Sequence, residues 1–293
     1  MTIDSDSLLH VLRNELNAVN QQFFHILALR EWGEQDAADR IMQVDNIDFQ
    51  NAMRIIDYFV ITGKPMELGA AEFSPGKDYR SILVSERELE QRLMAAIGNA
   101  EPATPEEEKF IQDALNPRKQ YLEWLEDNIA KSNTDNNKPS QFGSETAGIV
   151  GYLISLVEQS MVHAFVHWHD GDLDAADDAW TTSGAAMMHL TDLVRLFAKL
   201  PSVPFPGSCP ALDIQRNAAD ALKSDQHLAA LCSKEATEAA ARCKEKSVAD
   251  LCEQISHSNS EFSSWNTNTP HPSKSTNPAA FQSFEMTLSR YVH

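Results

Sequence analysis

Several things that would narrow the function of this chain are scarce or missing. It has four cysteines, Cys209, Cys232, Cys243 and Cys252, and no Cys-x-x-Cys spacing. That argues against a disulfide framework or a zinc ribbon. Basic residues are few: 24 Lys and Arg against 43 Asp and Glu leave a formal charge of -19. A surface of that sign cannot neutralise phosphates, so no nucleic-acid partner is expected. Anionic membrane surfaces are disfavoured for the same reason. Such acidity serves solubility first, and could recruit cations or a basic partner. No uninterrupted run of 18 apolar residues occurs, so no membrane insertion is expected. The N-terminus, Met1 to Asp6, is acidic and lacks the apolar stretch of a signal peptide, which predicts a cytoplasmic protein.

What remains is helical patterning along 293 residues, a length sufficient for two domains. Leu9, Leu12, Leu16, Val19, Phe23 and Ile26 recur at alternating steps of three and four, which keeps them on one helix face. That helix breaks at Trp32-Gly33. A second runs from about Asp36 to Ile61 and stops at Gly63-Lys64-Pro65. A third covers about Tyr79 to Ile97. A fourth starts at Thr104-Pro105-Glu106-Glu107, a cap followed by a first-turn proline, and runs to about Ala130. Pro117 enters this helix and should bend it. A polar linker over 132–143 separates a second set of patterns. Helices are expected from about Ser144, from Asp174 to Leu200, and as two alanine-rich segments between Ala211 and Trp265. The tail, 269–293, starts with Pro270, Pro272 and Pro278 and should not be helical at first. It ends with Phe281, Phe284, Leu288 and Tyr291, apolar side chains suited either to folding back onto the chain's own helices or to docking on a partner.

The chain repeats itself. Gly33-x-x-Asp36-Ala37-Ala38-Asp39 recurs as Gly171-x-x-Asp174-Ala175-Ala176-Asp177. At the same offset Gln21 matches Gln159, His25 matches His163 and Phe59 matches Phe197. Tyr121-x-x-Trp124 matches Phe262-x-x-Trp265. Several matches on equivalent helices point to duplication.

The first repeat resembles bacterioferritin, within the ferritin-like superfamily. Asn14-Glu15-Leu16-x-Ala18-Val19-Asn20-Gln21, Phe24-His25, Trp32-Gly33, Gly63-Lys64-Pro65 and Tyr121-Leu122-Glu123-Trp124-Leu125-Glu126 carry the likeness. It implies an all-α fold of two ferritin-like four-helix bundles in tandem, over 1–131 and 144–268, paired within the chain. In this family two helices each give a lone Glu to a di-iron centre and two give Glu-x-x-His, all facing inward. Iron favours carboxylate oxygens, and a spacing of three puts both ligands of a pair on one face.

That ligand set is incomplete here. The resemblance places the first Glu at Glu15 and the first Glu-x-x-His at Asp48 and Asn51. The third-helix Glu falls on Glu86, with Glu88 or Glu90 under a shifted register. The second Glu-x-x-His falls on Arg118 and Tyr121. Both histidines are gone, and a cation stands where a carboxylate would be. Arg118 therefore reads as a stand-in for the metal, since a guanidinium can satisfy several buried carboxylates. In the second repeat the matching positions are Leu153, Ala186, His189, Asn259 and Phe262, and the third-helix position has no clear alignment. Haem is not expected, because Phe49 holds the position of the family's methionine ligand. No cofactor is expected; if iron is retained, Glu15, Asp48 and Glu86 would hold it, with His163 and His167 a weaker pair. Asp170-x-Asp172-x-Asp174 opens like a calcium loop but lacks the glycine and the final Glu. The expected function is thus non-catalytic: a structural or binding subunit that self-assembles or meets a protein partner. The alternative is a residual iron-handling protein with its site in the first repeat.

Overall fold

The computed structural model describes residues 5–72, 74–100, 105–132, 141–200, 202–204, 209–269 and 271–273. The chain is all-α, with eight helices among these residues. They are α1 (Ser5–Glu31), α2 (Gln35–Thr62), α3 (Tyr79–Gly98), α4 (Pro105–Lys131), α5 (Ala147–His169), α6 (Leu173–Lys199), α7 (Ala218–Arg242) and α8 (Lys246–Ser263). Their ends follow local chemistry. Helix α2 stops at Gly63, whose φ of 69° is the left-handed form that ends helices cheaply. Asp78 caps α3 by accepting from the Ser81 N–H, and Ser81 answers in a capping box. Helix α4 runs through Pro117, which gives up one ladder hydrogen bond.

The packing order of α1 to α4 recurs in α5 to α8. Helix α1 packs on α2 and α3, α3 on α4, and α2 on α4. Likewise α5 packs on α6 and α7, α7 on α8, and α6 on α8. The turns match in detail. At α1–α2 Gly33 (φ 85°) donates to the Arg30 carbonyl and Glu34 to Leu29. At α5–α6 Gly171 (φ 80°) donates to Trp168 and Asp172 to His167. A side chain at either glycine would be strained, which is why the glycine-anchored motif appears twice.

The halves also pack on each other reciprocally, α1 against α6 and α2 against α5. Their cores are continuous: Leu12, Leu16 and Phe59 share one apolar cluster with Met161, Val162 and Phe165. A second cluster joins Phe24 and Leu27 to α5 through α8. Residues at matching positions meet where the halves touch. Asn20 donates to Glu158 Oε1 at 2.6 Å, and Arg13 binds both oxygens of Glu158 at 2.8 and 3.0 Å. Helix α5 is long and apolar enough to cross a membrane, with a mean hydropathy of 1.5 over its most apolar window. Yet 94% of that window is buried inside the protein, because neighbours from both halves surround it.

Four sequence expectations need correction. Residues 211–217 are not helical; α7 begins at Ala218, capped by Asn217, because the preceding backbone is held extended by α5. The end of the 132–143 linker is a short strand, β1 (Gln141–Gly143), paired in parallel with β2 (Ser202–Pro204). In the tail, His271 is buried and bonded to Thr182, so the chain stays attached to α6 beyond residue 269. Pro272 and Ser273 are helical, with proline where a first turn tolerates it. The tail residues Phe281, Phe284, Leu288 and Tyr291 lie outside the described residues.

Candidate functional site: a buried ion cluster and its neutral counterpart

Helices α1, α2, α3 and α4 each send one charged side chain to the same buried point. Arg118 Nη2 donates to Glu15 Oε1 and Oε2, both at 2.8 Å. The same nitrogen lies 2.8 Å from Asp48 Oδ1, an ion pair off the hydrogen-bond direction. Arg118 Nη1 donates to Glu90 Oε1 at 3.3 Å. Asn51 adds a bond to Glu15 Oε1 at 3.3 Å. None of these four charged residues is more than 1% exposed. Three carboxylates thus share one guanidinium out of reach of water.

Electrostatics shows how the excess charge is relieved. Burial pushes the Glu15 carboxyl well up, and the neighbouring acids add to this while Arg118 opposes it. Asp48 is pushed up to about 6 and Glu90 to about 8, by burial first and with Arg118 again opposing. Asp45, half-buried nearby, is also raised, by desolvation first and then by Asp48 and Glu86. Burial alone would weaken the hold of Arg118 on its proton, but Asp48, Glu15 and Glu90 together reverse that. The cluster is therefore a fixed cation among acids that share protons.

Glu86 does not join Arg118. It pairs with His25 Nδ1 and accepts from the Tyr121 hydroxyl at 2.9 Å. The acid on α3 that meets Arg118 is Glu90, the position allowed by the shifted register. The two are four residues apart, so α3 presents both to the interior. Tyr121 is likewise drawn to Glu86 and away from Arg118, and burial beside Glu86 raises its hydroxyl pKa.

His25 itself is part of a device that occurs twice. The Gly76 N–H donates to His25 Nε2 at 2.8 Å, so the ring proton sits on Nδ1, facing Glu86. Gln21 accepts from the Ser74 N–H at 2.9 Å and donates to Ser85 Oγ at 3.0 Å. In the second half the Gln215 N–H donates to His163 Nε2 at 3.0 Å, and His163 Nδ1 faces Asp225 at 3.0 Å. Gln159 accepts from the Asp213 N–H at 2.7 Å and donates to Ser224 Oγ at 3.1 Å. In each half a Gln and a His on the first helix clamp the extended loop that leads to the third helix. Gly76 allows the close approach: a Cβ there would lie 2.2 Å from the Ile82 nitrogen. The sequence held a trace of this pairing in Ser85-Glu86 and Ser224-Asp225. Asp225 is thus the third-helix acid that alignment could not place.

The ion cluster has no charged counterpart in the second half. Leu153, Ala186, Ala229 and Asn259 stand where Glu15, Asp48, Glu90 and Arg118 stand in the first. All four are buried, and Asn259 turns back to the Ile255 carbonyl. Phe262 replaces Tyr121 and stacks on Trp265 as Tyr121 stacks on Trp124. His189 is half-buried, and burial lowers its pKa. Both nitrogens of His163 are engaged, so His163 and His167 cannot act together as a ligand pair. Among the described residues no three His, Cys, Asp or Glu are placed to hold a metal ion. A di-iron centre does not fit the first half either, because a guanidinium stands at 118, where the resemblance places a ligand carboxylate, and it holds both Glu15 oxygens. Phe49 packs against the apolar core. No protein-family model, curated protein or solved structure matches the chain.

Proposed function

We propose that the chain is a non-catalytic ferritin-like protein, two degenerate four-helix bundles in tandem, which serves as a structural or binding subunit of a cytoplasmic assembly. Arg118 carries this reading. A guanidinium bound to Glu15, Asp48 and Glu90 supplies the positive charge that iron would supply in an active bundle. The matched glycine turns, the two Gln–His clamps and the shared packing order support the duplication. Reciprocal contact of α1 with α6 and α2 with α5 is how a fused pair of like subunits would pack. With iron chemistry displaced, the retained property is shape: a rigid helical body with a large acidic surface.

The test combines metal and mass. Full-length protein is exposed to ferrous iron without oxygen, desalted, and assayed for iron per chain and for native mass by light scattering. The expected result is far less than one iron per chain, with a native mass above that of one chain or a stable complex in a pull-down at native expression. One or two retained irons that disappear in Glu15→Gln would overturn the reading and establish an iron-handling protein. A lone monomer with no partner would overturn the subunit role.

A further inference from the structure

Gln22 on α1 is fully buried, yet neither its amide nitrogen nor its amide oxygen has a hydrogen-bond partner among the described residues. A buried amide left in that state is costly. Its position in the chain explains what surrounds it. Gln22 lies seven residues after Glu15, two turns on, and three before His25. Helix α1 therefore carries it on its inward face, between the Arg118 cluster and the Glu86–His25 pair. Asp48 of α2 is its neighbour. Burial raises the Asp48 pKa most, and Gln22 is among the groups that oppose it, which places the amide beside that carboxylate but outside hydrogen-bond geometry.

The cluster beside it has unused atoms of its own. Asp48 Oδ2, Glu90 Oε2 and Arg118 Nε are buried and have no hydrogen-bond partner among the described residues. They belong to one connected group, since Arg118 Nη2 lies 2.8 Å from Asp48 Oδ1 and Arg118 Nη1 lies 3.3 Å from Glu90 Oε1. The unused atoms are of both kinds. The carboxylate and amide oxygens accept, whereas the amide nitrogen and the guanidinium Nε donate. A metal ion would satisfy only the acceptors and would meet the charge of Arg118, and no three acids are placed to hold one among the described residues. An anion would satisfy only the donors. Water donates and accepts at once, and a buried water makes about three hydrogen bonds to groups of this sort.

The second half supplies the contrast. Ser160 stands where Gln22 stands in the first, and its hydroxyl is also buried without a partner. Around it, however, Leu153, Ala186 and Ala229 replace Glu15, Asp48 and Glu90. One hydroxyl among apolar side chains cannot hold a water, which needs several polar partners. Only this comparison rests on the proposed duplication; the arrangement around Gln22 does not.

We propose that the first half binds ordered water inside its core, where the water bridges the Gln22 amide to the unused carboxylate oxygens and the Nε of the Arg118 cluster. Oxygen-17 relaxation dispersion of the full-length chain tests this, because it counts waters held for longer than the protein takes to rotate. At least one such water should be present and should be lost in Gln22→Leu with an unchanged helical signal. Ser160→Ala should lose none. Gln22→Met, closer in length, serves if the leucine variant does not fold. The side-chain amide resonance missing from that variant identifies Gln22 in the native spectrum, where the same amide should receive magnetisation from water. A native protein without long-lived water would overturn the proposal. So would a count unchanged in a folded Gln22 variant, or a Gln22 amide that receives nothing from water. An equal loss in Ser160→Ala would overturn the assignment to the first half.

Discussion

Replacing Arg118 by alanine isolates the role of the buried cation. Arg118, Glu15 and Glu90 are each 1% exposed and Asp48 is 0% exposed, so water has no ready access to the groups left behind. Removing one side of such a cluster costs about 3–5 kcal/mol, because the remaining charges stay buried and unpaired. At roughly 2–4 °C per kcal/mol the melting temperature should fall by about 6–20 °C. The loss must also depend on pH. Burial raises the pKa of Glu15, Asp48 and Glu90, the latter two to about 6 and about 8. The folded chain therefore binds more protons than the unfolded chain between the usual carboxylate pKa near about 4 and these values. Stability from these acids is greatest below that window and declines as pH rises through it. Arg118 restrains the decline in the native protein. Without it the decline is steeper, so the variant should be closer to wild type at pH ~5 than at pH ~8. Thermal unfolding followed by circular dichroism at both pH values measures this. A loss under about 1 kcal/mol at the higher pH, or one independent of pH, would refute the buried-cluster account. Combining Glu15→Leu, Asp48→Ala, Glu90→Ala and Arg118→Asn copies the second half's solution. It should recover much of the loss, because all buried charge leaves together.

Three other outcomes are expected. His163→Ala should release the loop before α7, speeding amide exchange at Asp213 and Gln215 and costing about 1–3 kcal/mol as Asp225 loses one of its two side-chain partners, keeping Gln159; unchanged exchange there would count against the clamp. Burial raises all four cysteine thiols, Cys209 and Cys252 to about 12, so a disulfide reagent should modify the native protein slowly and the unfolded one quickly; a cysteine that reacts fast in the native state would contradict this. Deleting residues 274–293 should keep the helical signal per residue and lower the native mass if the apolar end is an assembly hook; equal masses would dismiss that role.

The sequence made the helices legible because each carries a long apolar stripe and a chemical stop. Gly33, Gly63 and Gly171 marked ends that the backbone requires. The register of α3 was harder. Glu86 and Glu90 lie on the same face, and only the tertiary partners, His25 and Tyr121 for one and Arg118 for the other, assign them. The start of α7 was misread for a similar reason. Residues 211–217 contain helix-compatible side chains, but their backbone N–H groups are taken by Gln159 and His163, partners distant in sequence. The role of the clamp histidine His25 had no local sequence signal, because its acid lies on another helix, at a separation that no short motif covers.

The contact between Asn20 and Glu158 bears on how such a chain can change over time. In a dimer of identical subunits any substitution at the axis arrives twice, facing itself. Glu opposite Glu would set two buried like charges against each other. In one continuous chain the two positions mutate separately. Under the proposed duplication, one became Glu and the other Asn, and Arg13 recruited the lone carboxylate. The result is a seam that two copies of either half could not reproduce. The contact therefore depends on unlike residues at the two positions, Asn20 on α1 and Glu158 on α5.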